Sequence, residues 1–157
     1  MNLTVDRDTV ISRLLGANDI LILCHKNPDG DTIGSGTALC LALQRLGKTA
    51  SVLCSDPIPA MYSYMPIPLF DGSYTPAFVV AVDVAGIQLF GDRNHIQEYA
   101  EHVDLCIDHH GSNSGFALET LVEPEAAAAA ELLTSLIPAM GVELTPDIAA
   151  CLYTGLA

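Results

Sequence analysis

Tryptophan is absent, and aromatic residues make up only 6% of the 157 positions. Basic residues are also few: 6 Lys and Arg stand against 19 Asp and Glu, a formal net charge of −13. A bare acidic surface repels polyphosphates and nucleic acid. Either the partners are not anionic, or bound cations neutralise the acids where the partner docks. Most of the 19 acids read as an ordinary solvated face. The five cysteines, Cys24, Cys40, Cys54, Cys106 and Cys151, contain no CxxC. Their odd number and wide spacing exclude a disulfide framework, so they read as reduced, structural thiols of a cytoplasmic protein. No apolar run reaches the roughly 18 residues that span a bilayer, so no membrane partner is expected. The start, Met1 to Asp8, has no basic region ahead of an apolar one, so no signal peptide is read there.

What is present in quantity is apolar. Half the residues are hydrophobic and the mean hydropathy is +0.39, enough to build one core and to exclude disorder. Thr4 to Leu15 predicts a helix, capped by Thr4 or Asp6, with Val10, Ile11, Leu14 and Leu15 on one face. Ile20 to Cys24, Thr49 to Cys54, Ala77 to Val82 and Val103 to Ile107 are short continuous apolar runs, the mark of strands buried on both faces. Leu118 to Val122 reads as a further strand. Helices are predicted over Gly34 to Leu46, Asp92 to Ala100, Glu125 to Leu136 and Pro146 to Leu156, the last capped by Thr145. Pro57 to Pro68 reads as a loop with a helical turn. No internal repeat is visible. Strands alternating with helices imply βαβ units. The fold class is therefore α/β, a three-layer Rossmann-like domain with a mainly parallel sheet flanked by helices.

In such sheets ligands sit beyond the carboxyl ends of the strands, and there the chemistry collects. The first predicted strand runs into His25-Lys-Asn-Pro-Asp-Gly-Asp31, one imidazole and two carboxylates on a loop. The third ends in Asp83 and the fourth in Asp108-His109-His110. Alone, Asp29 and Asp31 are good turn residues, Asp83 a helix cap, and His109-His110 one core and one surface histidine. Three such strand ends together point to metal. Adjacent residues at a strand end face opposite ways. Asp108, His109 and His110 therefore divide into a ligand, a carboxylate supporting it and a substrate contact. The donor set is too large for a lone magnesium ion, which keeps several waters. It suits two ions about 3.5–4 Å apart, a pair that clamps a phosphoryl group and activates water. Mixed imidazole and carboxylate ligands favour manganese, with magnesium the alternative.

His25-Lys-Asn-Pro-Asp-Gly-Asp31-Thr-Ile-Gly34-Ser35, Ala81-Val-Asp83 and Asp108-His109-His110 resemble the first three motifs of the DHH phosphoesterases. The stretch Asp108-His-His-Gly-Ser-Asn113 and the Ala-rich helix with Glu131 resemble the RecJ-like branch of nanoRNases and pAp phosphatases. The resemblance runs through nearly the whole chain. It implies that His25 and Asp29 bind one manganese, Asp31 and His109 the second, and that Asp83 bridges both. Asp108 would support His109, and His110 would contact the scissile phosphate. Asn27 and Ser35 would order the loop or touch a phosphate oxygen. The helix N-terminus near Gly34 would favour an anion.

The implied activity is hydrolysis of short oligoribonucleotides or 3′-phosphoadenosine 5′-phosphate by a water that two metals activate. Cyclic-dinucleotide phosphodiesterase and inorganic pyrophosphatase are the alternatives within the same superfamily. Relatives continue past this point into a fourth motif with another metal-binding Asp and a glycine-rich substrate-binding domain. Residues 1–157 are accordingly expected to be the catalytic domain of a longer protein, its second metal site one ligand short. A folded metal-binding domain of little activity is the non-enzymatic alternative. Expected partners are short RNA or small nucleotides, with a homodimer left open.

Overall fold

The computed structural model describes residues 2–157. Six strands, β1 (Leu3–Thr4), β2 (Ile20–Leu23), β3 (Ala50–Leu53), β4 (Phe78–Val82), β5 (Leu105–Asp108) and β6 (Glu119–Val122), form one sheet in the order β1-β6-β5-β4-β2-β3. Every pairing is parallel. The helices are α1 (Arg7–Gly16), α2 (Gly30–Arg45), α3 (Gln97–Ala100), α4 (Ala129–Ala139) and α5 (Pro146–Leu156).

The strands read as continuous apolar runs because both faces are covered. Ile20, Ile22, Val80, Val82, Leu105 and Ile107 point into a core shared with α1, α2, α4 and α5. Leu21, Leu23, Val79, Ala81 and Cys106 point the other way, onto Phe90, Ile96, Ala100 and Val103. The three layers are thus unequal. One face carries four helices, and the other only α3, a 3-10 turn at Ile87–Leu89 and the loops around them. The five cysteines are free and buried, as expected of small apolar side chains.

Several boundaries differ from the sequence reading. Leu3–Thr4 is a strand beside β6, so α1 begins at Arg7 with Asp6 as its cap. A two-residue strand is too short to show a period. α2 begins at Gly30, four residues earlier than predicted, because Asp29 caps it through the Thr32 N–H. The helix predicted from Asp92 shrinks to Gln97–Ala100, since Asn94 and His95 both take left-handed backbone. α4 starts at Ala129 rather than Glu125. The last helix, its Thr145 cap and the helical turn at Ala60–Tyr62 stand where predicted.

Two features position the site. From β2 the chain runs through α2 to β3 on one side, while β4 lies on the other, so the sheet's switch point falls between the ends of β2 and β4. The helices behind it pack backbone to backbone. A Cβ on Gly34 would stand 2.4 Å from the Cys151 carbonyl, and one on Gly155 would stand 2.6 Å from Ala130 Cβ. Glycine at these positions lets α5 close over α2 and α4.

Candidate metal centre

Asp83 is the hub. It follows β4 with φ of 64°, a left-handed conformation that is costly for a residue with a Cβ. Its N–H donates to the Ile107 carbonyl at 2.9 Å. Its carboxylate is buried, and Oδ1 has no hydrogen-bond partner. Backbone strain and an orphaned buried oxygen at one residue mark a site built for something other than stability.

Imidazoles flank both oxygens. His25 Nε2 lies 3.6 Å from Asp83 Oδ2 and 3.4 Å from Asp29 Oδ1. His109 Nε2 lies 3.2 Å from Asp83 Oδ1 and 3.5 Å from Asp31 Oδ2. Atoms that share an ion at about 2.1 Å stand roughly 3.0–3.4 Å apart at octahedral to tetrahedral angles. Most of these separations are long for hydrogen bonds and fit the edges of coordination shells. Two donor groups emerge, His25-Asp29-Asp83 and Asp83-Asp108-His109-His110, with Asp83 common to both.

Each histidine is turned by a bond at its other nitrogen. His25 Nδ1 meets the Lys26 carbonyl at 2.6 Å, and His109 Nδ1 meets the Ala126 carbonyl at 3.3 Å. A carbonyl only accepts, so Nδ1 carries a proton and Nε2 is the nitrogen turned to the carboxylates. His110 Nδ1 donates to Asp108 Oδ1 at 2.7 Å. Asp108 therefore supports His110, not His109 as the sequence resemblance implied. The rings of His109 and His110 lie 4.2 Å apart, and the strand's turn at this point brings both to one side.

Asp31 binds twice over. Its oxygens accept from the N–H groups of Ala129 and Ala130 at 2.9 and 3.0 Å, and from Ser35 Oγ at 2.9 Å. The cap that α4 lacks from its own chain neighbour thus comes from α2. Ser35 is buried and committed to Asp31. Asn27 is exposed at φ of 48°, its N–H held by Asp56 Oδ2 at 2.7 Å.

Sequence reasoning assigned no role to two residues that hold the site together. Thr32 Oγ1 donates to the Val82 carbonyl and accepts from the His25 N–H, tying β2 to β4. Asn113 Nδ2 donates to Asp108 Oδ2 at 2.8 Å and to the Val84 carbonyl at 3.1 Å. Its place five residues beyond Asp108 was the available signal.

Without a cation the site is held by protons. Burial opposes charge on His25, but the carboxylates of Asp29 and Asp83 facing it outweigh that and raise the imidazole to about 10. The facing His25 imidazole in turn holds Asp29 down to about 2. Burial pushes Asp83 up to about 6, with the neighbouring Asp31 adding to it against the opposing pull of His25. Burial also opposes the charge on His110, and Asp108 more than compensates, so His110 is raised. A divalent cation supplies the positive charge that these protons replace, so the donor set fits a divalent metal ion.

Known proteins share this sequence pattern and fold. The profile of the DHH family, N-terminal domain, matches residues 19–156. The bifunctional oligoribonuclease and PAP phosphatase NrnA of Thermus thermophilus is 33% identical over 152 residues, 87% of this chain and 42% of that protein. An uncharacterized protein of Mycoplasma pneumoniae is 28% identical over 151 residues, 92% of this chain and 46% of its own length. The crystal structure of an exopolyphosphatase-related protein from Bacteroides fragilis superposes with a TM-score of 0.82 at 26% identity, covering 96% of this chain and 48% of that one. The chain spans less than half the length of each.

Proposed function

The chain belongs to the DHH family, and on that premise we propose that it is the catalytic domain of a manganese-dependent phosphoesterase acting on short oligoribonucleotides and 3′-phosphoadenosine 5′-phosphate. One observation carries the reading: Asp83 is buried and strained, and its two oxygens each face a different histidine. The Thermus relative, an oligoribonuclease and PAP phosphatase, supports the substrate class.

In this reading His25 and Asp29 would hold one ion, Asp31 and His109 would hold the other, and Asp83 would serve both. A bound pair of ions would neutralise phosphate charge and lower the pKa of water. The chain's own groups do the rest. The Lys26 and Ala126 carbonyls keep both Nε2 atoms aimed inward. Ser35 and the α4 amides fix the Asp31 carboxylate. His110 is 44% exposed at its side chain, with Nδ1 anchored on Asp108, so Nε2 is free to meet a phosphate oxygen. Asn113 steadies Asp108 behind it.

A substrate panel with manganese tests this: a diribonucleotide, 3′-phosphoadenosine 5′-phosphate, a cyclic dinucleotide and pyrophosphate. Cleavage of the first two, lost on chelation and in His110→Ala, is expected. Turnover of only the cyclic dinucleotide or only pyrophosphate would move the assignment to that branch. Metal binding without turnover of any of the four would reduce the chain to a metal-binding domain.

A further inference from the structure

Only six lysines and arginines serve a chain of net charge −13, and four of them are occupied or remote. Arg7 grips Glu123 at 2.5 and 2.7 Å, and Arg13 grips Glu119 at 2.6 and 3.1 Å, which clamps α1 to the strand β6 region. Lys48 Nζ donates to the carbonyls of Leu15 and Ala17 at the end of α1. Arg45 lies in the last turn of α2, whose 16 residues carry it about 24 Å from the metal centre at 1.5 Å per residue.

The two that remain, Lys26 and Arg93, line one cleft of about 380 Å³ together with Asp56, Asp92 and Gln97. Lys26 directly follows His25. Its N–H donates to the Leu89 carbonyl at 2.6 Å, and its ammonium has no hydrogen bond or ion pair among the described residues. A Cβ on Gly91 would stand 3.3 Å from Lys26 Cβ, so the lysine stem starts out against that glycine. The Arg93 N–H is fixed on Ser55 Oγ at 2.9 Å. Its guanidinium is 3.9 Å from Asp56 Oδ1, beyond hydrogen-bond length. Asp56 is already engaged through Oδ2 with the Asn27 N–H of the metal loop. Lys26 and Arg93, the one unpaired among the described residues and the other only loosely paired with Asp56, therefore face one cleft that opens beside a ligand loop.

We propose that this cleft is an anion subsite of the metal centre, holding the second phosphate of a nucleotide whose scissile phosphate lies between His25 and His109. The inference rests on the phosphoesterase reading and narrows it. The favoured substrates carry two phosphoryl groups, as a nucleoside bisphosphate or a dinucleotide with a terminal phosphate does, and a plain monophosphate ester uses only half the site. Asp56 and Asp92 moderate the local potential, so each cation contributes as a partly exposed pair does, about threefold to tenfold in affinity.

The test is calorimetric titration of the whole chain, with manganese present, against adenosine 3′,5′-bisphosphate and adenosine 5′-monophosphate. The bisphosphate is expected to bind at least about tenfold more tightly. Lys26→Ala and Arg93→Ala each reduce that preference about threefold to tenfold. Each also flattens the salt dependence of bisphosphate binding by about 0.7 in log–log slope. Arg45→Ala leaves the preference intact. Equal affinity for the two nucleotides, or a preference untouched in both cleft variants, overturns the subsite. Hydrolysis of bis(p-nitrophenyl) phosphate by the same protein, measured alongside, judges the phosphoesterase reading separately. Turnover without bisphosphate preference defeats only the subsite, whereas neither binding nor turnover defeats both.

Discussion

A buried carboxylate oxygen with no donor is a cost that folding alone does not explain. Asp83 carries that cost twice, in its left-handed backbone and in its orphaned Oδ1. Asp83→Asn keeps the shape and tolerates the backbone, since Asn visits this region readily, but removes the charge that both donor groups share. Both metals are expected to be lost, as counted by equilibrium dialysis. The metal-free variant should unfold at pH 8 no earlier than the parent, because burial already raises Asp83 to about 6 and makes its ionised form the disfavoured one. Two ions bound at full occupancy by the variant would remove the bridging role. His25 makes a second residue-level prediction. Its pKa of about 10 exceeds that of Asp83, about 6, so between those values His25 keeps a proton that metal must displace. Affinity should therefore rise as pH rises from about 7 to 9, by up to tenfold per unit for each proton released. Calorimetry in buffers of different ionisation enthalpy should count about one proton released at this site. A pH-independent affinity would show that His25 is already neutral.

At the scale of elements, one carboxylate does the work of a helix cap and of a ligand. Ala128 offers α4 no side-chain cap, and Asp31 supplies two acceptors from the first turn of α2. Asp31→Ala is expected to cost about 1–2 kcal/mol in the urea unfolding of the metal-free protein, the usual range for a lost cap. An unchanged midpoint would mean the two bonds contribute nothing to stability. This coupling also shows what the sequence could and could not disclose. The central strands were legible because residues such as Ile20 to Leu23 are apolar on both faces. All seven candidate ligand and catalytic residues were legible as strand-end chemistry. The start of α2 was not, because Pro28 and Gly30 read as loop residues until Asp29 is seen capping Thr32. The partner of Asp108 was not either. Order along the chain does not say which of two adjacent imidazoles a carboxylate reaches, and only the turn after β5 places His110 on it. The close approach of Gly155 to Ala130 is likewise a long-range fact with no local period.

For the whole molecule the governing quantity is charge. A domain at −13 pays self-repulsion in its compact state, and several of its acids converge on one end of the sheet. Specific divalent binding and general screening both relieve that repulsion, but by different amounts. A ligand at 100 times its Kd stabilises the folded state by about 2.7 kcal/mol. In a domain of this size each kcal/mol moves the melting midpoint by about 2–4 °C. Manganese at that excess should therefore raise the midpoint by about 5–11 °C in scanning calorimetry, and a chelator should reverse the shift. Sodium chloride matched in ionic strength should give a smaller rise, because screening within a Debye length acts weakly on buried, closely spaced groups. Asp83→Asn separates the two effects: the manganese shift should collapse to the size of the salt shift, while the salt shift itself persists. If manganese and matched sodium chloride stabilised the parent equally, the strand-end carboxylates would be an acidic surface and not a metal centre.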